Sequence, residues 1–395
     1  MTATINGVEF GVWWAPTGSW NTSAPTWVDI TADVLSVQFR RGANGSLEGN
    51  GYAAGTGTVV LANNGRKYDP DYSSGTYFGQ LLPGKPFRVT FVNSSGTTVT
   101  VFRGVTQGDW EQNYEPANRW ATAHVDFVDA YALAAASFNI TSGATKLAHE
   151  AFNTITAVSG WPLRDTPTAS SALVVEPNET RCLPALQAVE VSEQGRIFVD
   201  RTGTWRFINR DTFLSAGSSV ATFDDDGTDV GYAEITTSAG REQLRSFVTL
   251  TGSHTTDVTA SVDTNGPLQG MQIAGVWARQ EEPRAIAPWL ATRLSTPATR
   301  ADRLQWTPLQ GGNAAKDALS VDVGDTITVV RRPVAVGSAI TMTSVVESVS
   351  MQIQASPRRW DVTYVCRPEP RAGRTYVRAD GAGSTTADGS AVAAP

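Results

Sequence analysis

Gly84-Lys-Pro-Phe-Arg-Val89 and Gly324-Asp-Thr-Ile-Thr-Val329 lie 240 residues apart (324 − 84) and open two stretches of the same design. Each glycine leads into a hydrophobic strand, a Gly/Ser turn, a second strand and a valine-rich third strand. Asn118-Arg-Trp120 and Pro357-Arg-Arg-Trp360 keep the offset from tryptophan to tryptophan. Each tryptophan is followed by an alternating run, Ala121–Val128 and Asp361–Val365. Val105 and Val346 take comparable places one residue out of step, as a small loop insertion would cause. Apolar side chains at period 2, broken by turns every ~8–12 residues, describe a β-meander. Such a unit closes into a barrel or sandwich to hide its edges. The repetition predicts that Gly84–Val125 and Gly324–Val365 are two copies of one unit.

The same alternation extends outward. Leu35, Val37 and Phe39 alternate with Ser36, Gln38 and Arg40, and Trp360, Val362 and Tyr364 alternate with Asp361, Thr363 and Val365. A hairpin is expected over Gly195–Arg210, turning at Thr202-Gly203. Three helices are expected. One is capped by Thr180, carries Leu183, Leu186 and Val189, and is stopped by Gly195; the others span Ala144–Val158 and Ala285–Leu294. Two of the three fall between 133 and 195. The expected fold is mainly β (β-rich α+β). It has two tube-like β-barrel or sandwich domains, 1–132 and 216–370, and an inserted mixed α/β subdomain at 133–215. Residues 371–395 hold almost no large apolar group and are expected to be a flexible tail, mobile or ordered only by a neighbour.

Composition narrows the function. The 395 residues hold 31 basic and 38 acidic side chains, a net −7, which argues against a basic nucleic-acid binder. Two cysteines, Cys182 and Cys366, are too few and too distant for a disulfide framework and are expected to be buried thiols. No apolar run reaches the ~18 residues of a membrane span, and the N-terminus lacks the pattern of a signal peptide.

Catalytic and ligand signatures are weak. His124, His149 and His254 are scattered, and His149-Glu150 lacks the second histidine of a zinc-protease helix. Asp224-Asp-Asp-Gly-Thr-Asp229 puts an aspartate where a calcium loop needs glycine, so it reads as a solvated turn. Gly45-Ser-Leu-Glu-Gly49 misplaces its serine for a nucleophile elbow, and no phosphate-binding glycine loop exists. No catalytic residue, cofactor or metal is expected. Trp13, Trp14, Trp20 and Trp27 crowd the first thirty residues. They are read as core or interface anchors, with sugar stacking in a carbohydrate-binding protein as the rival.

The stretch from Arg40-Arg-Gly42 through Gly57-Thr-Val-Val-Leu61, Asn64-Gly-Arg66, Tyr68-Asp-Pro70 and Phe78-Gly-Gln-Leu-Leu-Pro-Gly-Lys-Pro86 resembles minor tail proteins of long-tailed phages infecting actinobacteria. So do Glu193-Gln-Gly-Arg-Ile-Phe-Val-Asp-Arg-Thr-Gly203, Phe207-Ile-Asn-Arg210, the Phe223 to Tyr232 segment and the closing Val321-Asp-Val-Gly-Asp325 to Trp360. The resemblance covers about residues 27–370. Such proteins are similar to baseplate hubs, trimers below the tail tube with two tube-like barrels per chain and an inserted subdomain.

The resemblance implies a structural virion protein made in the host cytoplasm. It would close the tail tip, contact tube proteins and fibres or the tape measure, and let DNA pass without specific binding. Another tail-tip ring protein with the same barrel is the alternative. No fibre or enzyme domain follows residue 370, so receptor binding or wall digestion in cis is not expected. Two similar units per chain would let a trimer present six, matching a six-fold tube to a three-fold tip. An acidic lumen would repel DNA, although the net charge does not locate itself. The long loop Asn63–Leu82 is the expected assembly surface, through Asn64, Tyr68, Asp69, Tyr77, Phe78 and Leu82.

Overall fold

A computed structural model describes residues 3–5, 8–43, 52–115, 120–136, 138–140, 143–170, 172–175, 179–214, 217–238, 245–262, 270–295, 300–308, 312–333, 337–355 and 358–368, with 375–377, 384–386 and 391–392. Asn118, Arg119 and Pro357 of the repeat, Gly45–Gly49, and most of the tail lie outside these. The fold is mainly β, built on one 15-stranded sheet.

The repeat is real in the topology. In the first unit the strands run in the order Pro86–Val92, Thr98–Tyr114, Ala121–Val128, Tyr52–Ala62, Val34–Ala43. In the second they run Thr326–Arg331, Ile340–Gln354, Arg359–Pro368, Arg300–Trp306, Glu234–Ser238. Every neighbouring pair is antiparallel in both units. Gly84 and Gly324 open them alike, at φ +76° and +90°, a backbone region that favours glycine. Gly84 N–H donates to Thr106 O and Thr106 N–H to Lys85 O, while Gly324 N–H donates to Val346 O and Val346 N–H to Asp325 O.

These bonds align Thr106, not Val105, with Val346. The extra residue of the first unit falls further on, in the bulge between Gln107 and Glu111, against the shorter bulge between Val346 and Ser348. The tryptophans are therefore out of register. Trp360 is in the core, whereas Trp120 stands 60% exposed. One residue of slip moves a side chain to the opposite face of a strand.

Each unit curls around its own aromatic core. Phe39 and Phe102 lie three strands apart along the sheet, about 14 Å if it were flat. Their rings are 5.4 Å apart. Phe87 and Phe127 stack at 4.3 Å in the same core, and Phe223, Trp306 and Tyr364 meet in the other. Among the described residues hydrogen bonding closes neither unit on itself. Instead Ser348–Gln354 pairs antiparallel with Ser36–Gly42 and joins the two units edge to edge.

The seam carries a buried polar network. Arg41 Nη1 lies 2.7 Å from Asp322 Oδ1, and Asp322 Oδ2 accepts the N–H of Arg201 at 2.7 Å. At the bulge the Glu347 carboxylate accepts from Tyr52 Oη at 2.6 Å and contacts the buried Arg367 guanidinium. Gly42 sits at φ +104°, and a Cβ there would fall 2.2 Å from the Glu347 carbonyl oxygen.

Helices Ala130–Ala136, Ala148–Val158 and Cys182–Glu193 and the hairpin Arg196–Val199/Trp205–Ile208 fill the inserted region. The third helix begins after Arg181 with no side-chain cap, rather than at Thr180, which lies in a short strand. It ends on Gln194 in the left-handed conformation, with Gly195 just beyond. The second starts at Ala148 because Thr145–Leu147 pairs as a strand with Leu173–Val175. Glu281–Leu294 begins earlier than expected, which puts Pro288 in the helix interior. That helix covers a small sheet, Val258–Ser261, Phe247–Gly252 and Gly270–Gly275, around Trp277, Ile286 and Leu290. This element sits between two strands of the second unit, and Trp277 Nε1 donates to Ser192 O of the inserted region. The described tail segments pair with one another as three short strands.

Removing one partner of a buried ion pair costs about 3–5 kcal/mol, so Glu347→Ala is expected to lower unfolding free energy by that amount in denaturant titration. Gly42→Ala is expected to cost more than about 1 kcal/mol by the same measurement, since the new residue is both strained and obstructed.

Candidate functional site

The outward positions of the joined strands form one polar face. Gln38 and Arg40, Thr56 and Thr58, Ser350 and Gln352, Arg303 and Gln305, and Asp361 and Thr363 all line a groove of about 590 Å³ that crosses the seam. Alternation dictates this arrangement. Val37 and Phe39 point into one core, Met351 and Ile353 lie at the seam, and their neighbours in sequence must face the other way. Three arginines and two aspartates line the groove, so the chain's acidity is not concentrated there. Arg359 pairs with Asp361, Asp126 accepts from Thr58 Oγ1 at 2.5 Å, and Arg40 Nε donates to Ser348 Oγ at 3.2 Å. Polar side chains of mixed charge, two pairs of them bonded to one another, make a polar wall without a strong field. Among the described residues no group of three or more His, Cys, Asp or Glu could hold a metal ion.

The loop Asn63–Leu82 divides between interior and surface. Tyr68, Asp69 and Tyr77 are buried. Tyr68 stacks on Trp110 at 5.7 Å and donates its hydroxyl to Asp33 at 2.6 Å. Asp69 is held by Arg66 and by the Tyr114 hydroxyl at 2.8 Å. Tyr77 meets Trp14 edge to face at 5.0 Å. These three plug the open end of the first unit. Asn64 stays exposed and accepts Ala121 N–H, while Phe78 and Leu82 are about half exposed, at 49% and 50%. The sequence signal for the plug was the tyrosine spacing, but only the curl of the sheet shows which rings turn inward.

The early tryptophans also separate. Trp14 is core. The Arg88 guanidinium lies 5.0 Å from the Trp13 ring and 4.4 Å from the Trp27 ring, a cation–π sandwich. Trp20 lies over Gly160, where even a Cβ would come within 2.8 Å of its ring. Three of the four are thus engaged within the chain, and Trp20 is partly covered.

The remaining singled-out residues are structural in their contacts. His149 Nδ1 lies 2.9 Å from Ser170 Oγ, and His124 Nε2 lies 3.1 Å from Thr122 Oγ1. Cys182 and Cys366 are free and buried, and burial pushes the Cys366 thiol up to about 12. The Asp224–Asp229 turn is less solvated than its composition suggests. Asp224 is buried and accepts the N–H groups of Gly227 and Asp229, while Asp225 and Asp226 clamp Arg332. Hydrogen bonds from Thr228 hold Asp226 down at about 2.

Similarity to known proteins lies in the fold. No family model matches the chain, and no curated protein matches its sequence. A tail protein of Neisseria meningitidis superposes with a TM-score of 0.58 at 12% identity, covering 90% of this chain and 96% of that one. The prophage MuSo2 tail protein of Shewanella oneidensis superposes at 0.53 and 13% identity, covering 91% and 98%. The chain has the fold of these tail proteins across nearly its whole length. No helix among the described residues is long and apolar enough to cross a membrane.

Three buried carboxyls give the protein a pH dependence. Burial pushes Asp129 and Glu190 up to about 7 and Glu282 up to about 8, against the backbone N–H groups that each accepts. The folded state then holds protons that the unfolded chain releases. Their contribution is complete below the unfolded values and is lost as pH rises through the folded ones. Denaturation midpoints are expected to fall between about pH 4 and pH 8, and Asp129→Asn, which keeps an oxygen for only one of the Gly55 and Tyr131 N–H groups and therefore lowers stability overall, should flatten that slope.

Proposed function

We propose that this chain is a structural protein of the phage virion, a homotrimeric hub that closes the distal end of a tail tube. The observation that carries this reading is the duplicated five-strand unit, joined edge to edge within one chain and sharing a polar face across the joint. Two such units per chain let three chains present six, which reconciles a six-fold tube with a three-fold tip. The tail-protein fold supports the placement, and the resemblance of the 40–89 region supports a minor tail protein of a phage of actinobacteria. The partners are other tail proteins.

The groove face is the proposed wall of the DNA conduit. Two aspartates offset all but one of its three arginines and its remaining lining is neutral, so phosphate would meet only a weak field. No catalytic role is proposed: His124 and His149 lie against Thr122 and Ser170, and the Asp224–Asp229 turn is held by its own backbone and by Arg332. Sugar stacking by the early tryptophans is the weaker reading, since Arg88 occupies the space between Trp13 and Trp27.

Light scattering of the purified chain is expected to give about three times its 42.1 kDa. A monomer that binds glycans, and loses that binding in Trp13→Ala, would overturn the hub in favour of receptor recognition. Lysines at Thr58 and Gln352, both on the groove face, are expected to leave tail assembly intact and slow genome ejection in an infection assay.

A further inference from the structure

The two units differ in how the edge of their long strand is used. In the second unit, the far half of Ile340–Gln354 is paired on both edges, with Arg359–Pro368 on one side and Val34–Ala43 on the other. The corresponding strand of the first unit, Thr98–Tyr114, has only Ala121–Val128 beside its far half. The opposite edge of Gln107–Tyr114 has no strand partner among the described residues. Further along the chain, Glu234–Ser238 corresponds to Val34–Ala43 and has one strand neighbour among the described residues, Arg300–Trp306. One seam is thus made inside the chain, and the two halves of an equivalent seam are left open on its two sides.

From this the geometry points to a second copy of this chain as the occupant: residues 234–237 of one protomer pair antiparallel with Gln107–Tyr114 of its neighbour, repeating the internal seam. The inference rests on the hub reading above and gives it an interface. Unpaired strand edges are ready templates for another chain, and addition of a strand satisfies their backbone groups. The open edges are complementary because each is the counterpart of one side of a seam that this chain already forms.

The register follows from the internal seam. Thr106 and Val346 align, and they pair with Phe127 and Cys366, so Thr122 corresponds to Asp361. Their partners Asn113 and Gln352 therefore correspond. Thr236 corresponds to Gln38, since Thr236–Arg303–Val365 and Gln38–Thr58–Asp126 are matching rungs. Gln352 faces Gln38 and Ile353 faces Val37 within the chain. Between chains, Asn113 then faces Thr236, and Tyr114 faces Ile235.

The second rung explains an exposure. Ile353 and Val37 are buried at the internal seam, whereas Tyr114, in the place of Ile353, is 45% exposed in the single chain. Ile235 would cover it, an aromatic and β-branched pair of the kind that stabilises neighbouring strands. Because the contact is head to tail, it closes into a ring when its rotation repeats that of the internal seam.

Asn113→Cys combined with Thr236→Cys tests this. Under mild oxidation the double variant is expected to give covalent dimers and closed trimers on a non-reducing gel, while either single variant stays uncrosslinked. Tyr114→Glu, which leaves the internal seam untouched but gives up the bond to Asp69, is expected to shift the light-scattering mass of the otherwise unmodified chain to the monomer, while Tyr114→Phe, which gives up the same bond and keeps the ring, is expected to stay at three chains. A mass of three chains with no crosslink, unchanged by Tyr114→Glu, would overturn this interface and leave the hub standing. Crosslinked open chains without a closed species would keep the interface and sink the hub. A chain that neither crosslinks nor associates at high concentration would overturn the interface.

Discussion

The structure depends on the pairing of Ser36–Gly42 with Ser348–Gln354. This ladder turns two curled five-strand units into one sheet, and it brings residues more than 300 positions apart into register. Backbone hydrogen bonds supply its direction, and the Gly42 approach to the Glu347 carbonyl admits no larger residue. Two bulges face each other across it, one between Arg40 and Gly42 and one between Val346 and Ser348. A bulge re-aims a side chain. Glu347 is the extra residue of one bulge, and in the other Ala54 and Gly55 stand opposite the single Arg41; Arg41 and Glu347 both make buried polar contacts, with Asp322 and with Tyr52 and Arg367.

Those contacts tie the inserted region to the sheet. Asp322 reaches the backbone of Arg201, and Arg196 approaches Glu347 at 3.7 Å. The insertion therefore braces the seam from the core side while the opposite face stays open and polar. The small sheet around Trp277 is tied to the insertion, through Ser192, Leu173 and Glu282. Both additions are confined away from the groove, which leaves the duplicated strands to define it.

The two units keep the same strand order while differing in what they expose. The second spends its long strand on an internal partner; the first leaves the matching edge free and carries the buried tyrosine plug at its end. A duplicated unit whose copies diverge in this way gives one chain two different sides. That is what a repeating head-to-tail assembly requires.

Much of this was legible in the residues. The glycine turns at 84 and 324, the period-2 strands, the hairpin at 195–210 and the buried cysteines follow from local rules, because backbone sterics and alternation act over a few residues. The identity of the repeat was legible too, but its alignment was not. The matched tryptophans suggested a register in which Trp120 and Trp360 are equivalent, and one extra bulge residue puts them on opposite faces. Likewise the loop Asn63–Leu82 announced itself by its tyrosines, yet Tyr68, Asp69 and Tyr77 turned inward and only Asn64, Phe78 and Leu82 stayed outside. The sequence by itself determined the strands, the turns and the presence of two related units. Tertiary structure alone decided the seam, the free edges and the polar groove, because pairing between distant strands depends on bulges, curl and close backbone approach that no local pattern encodes.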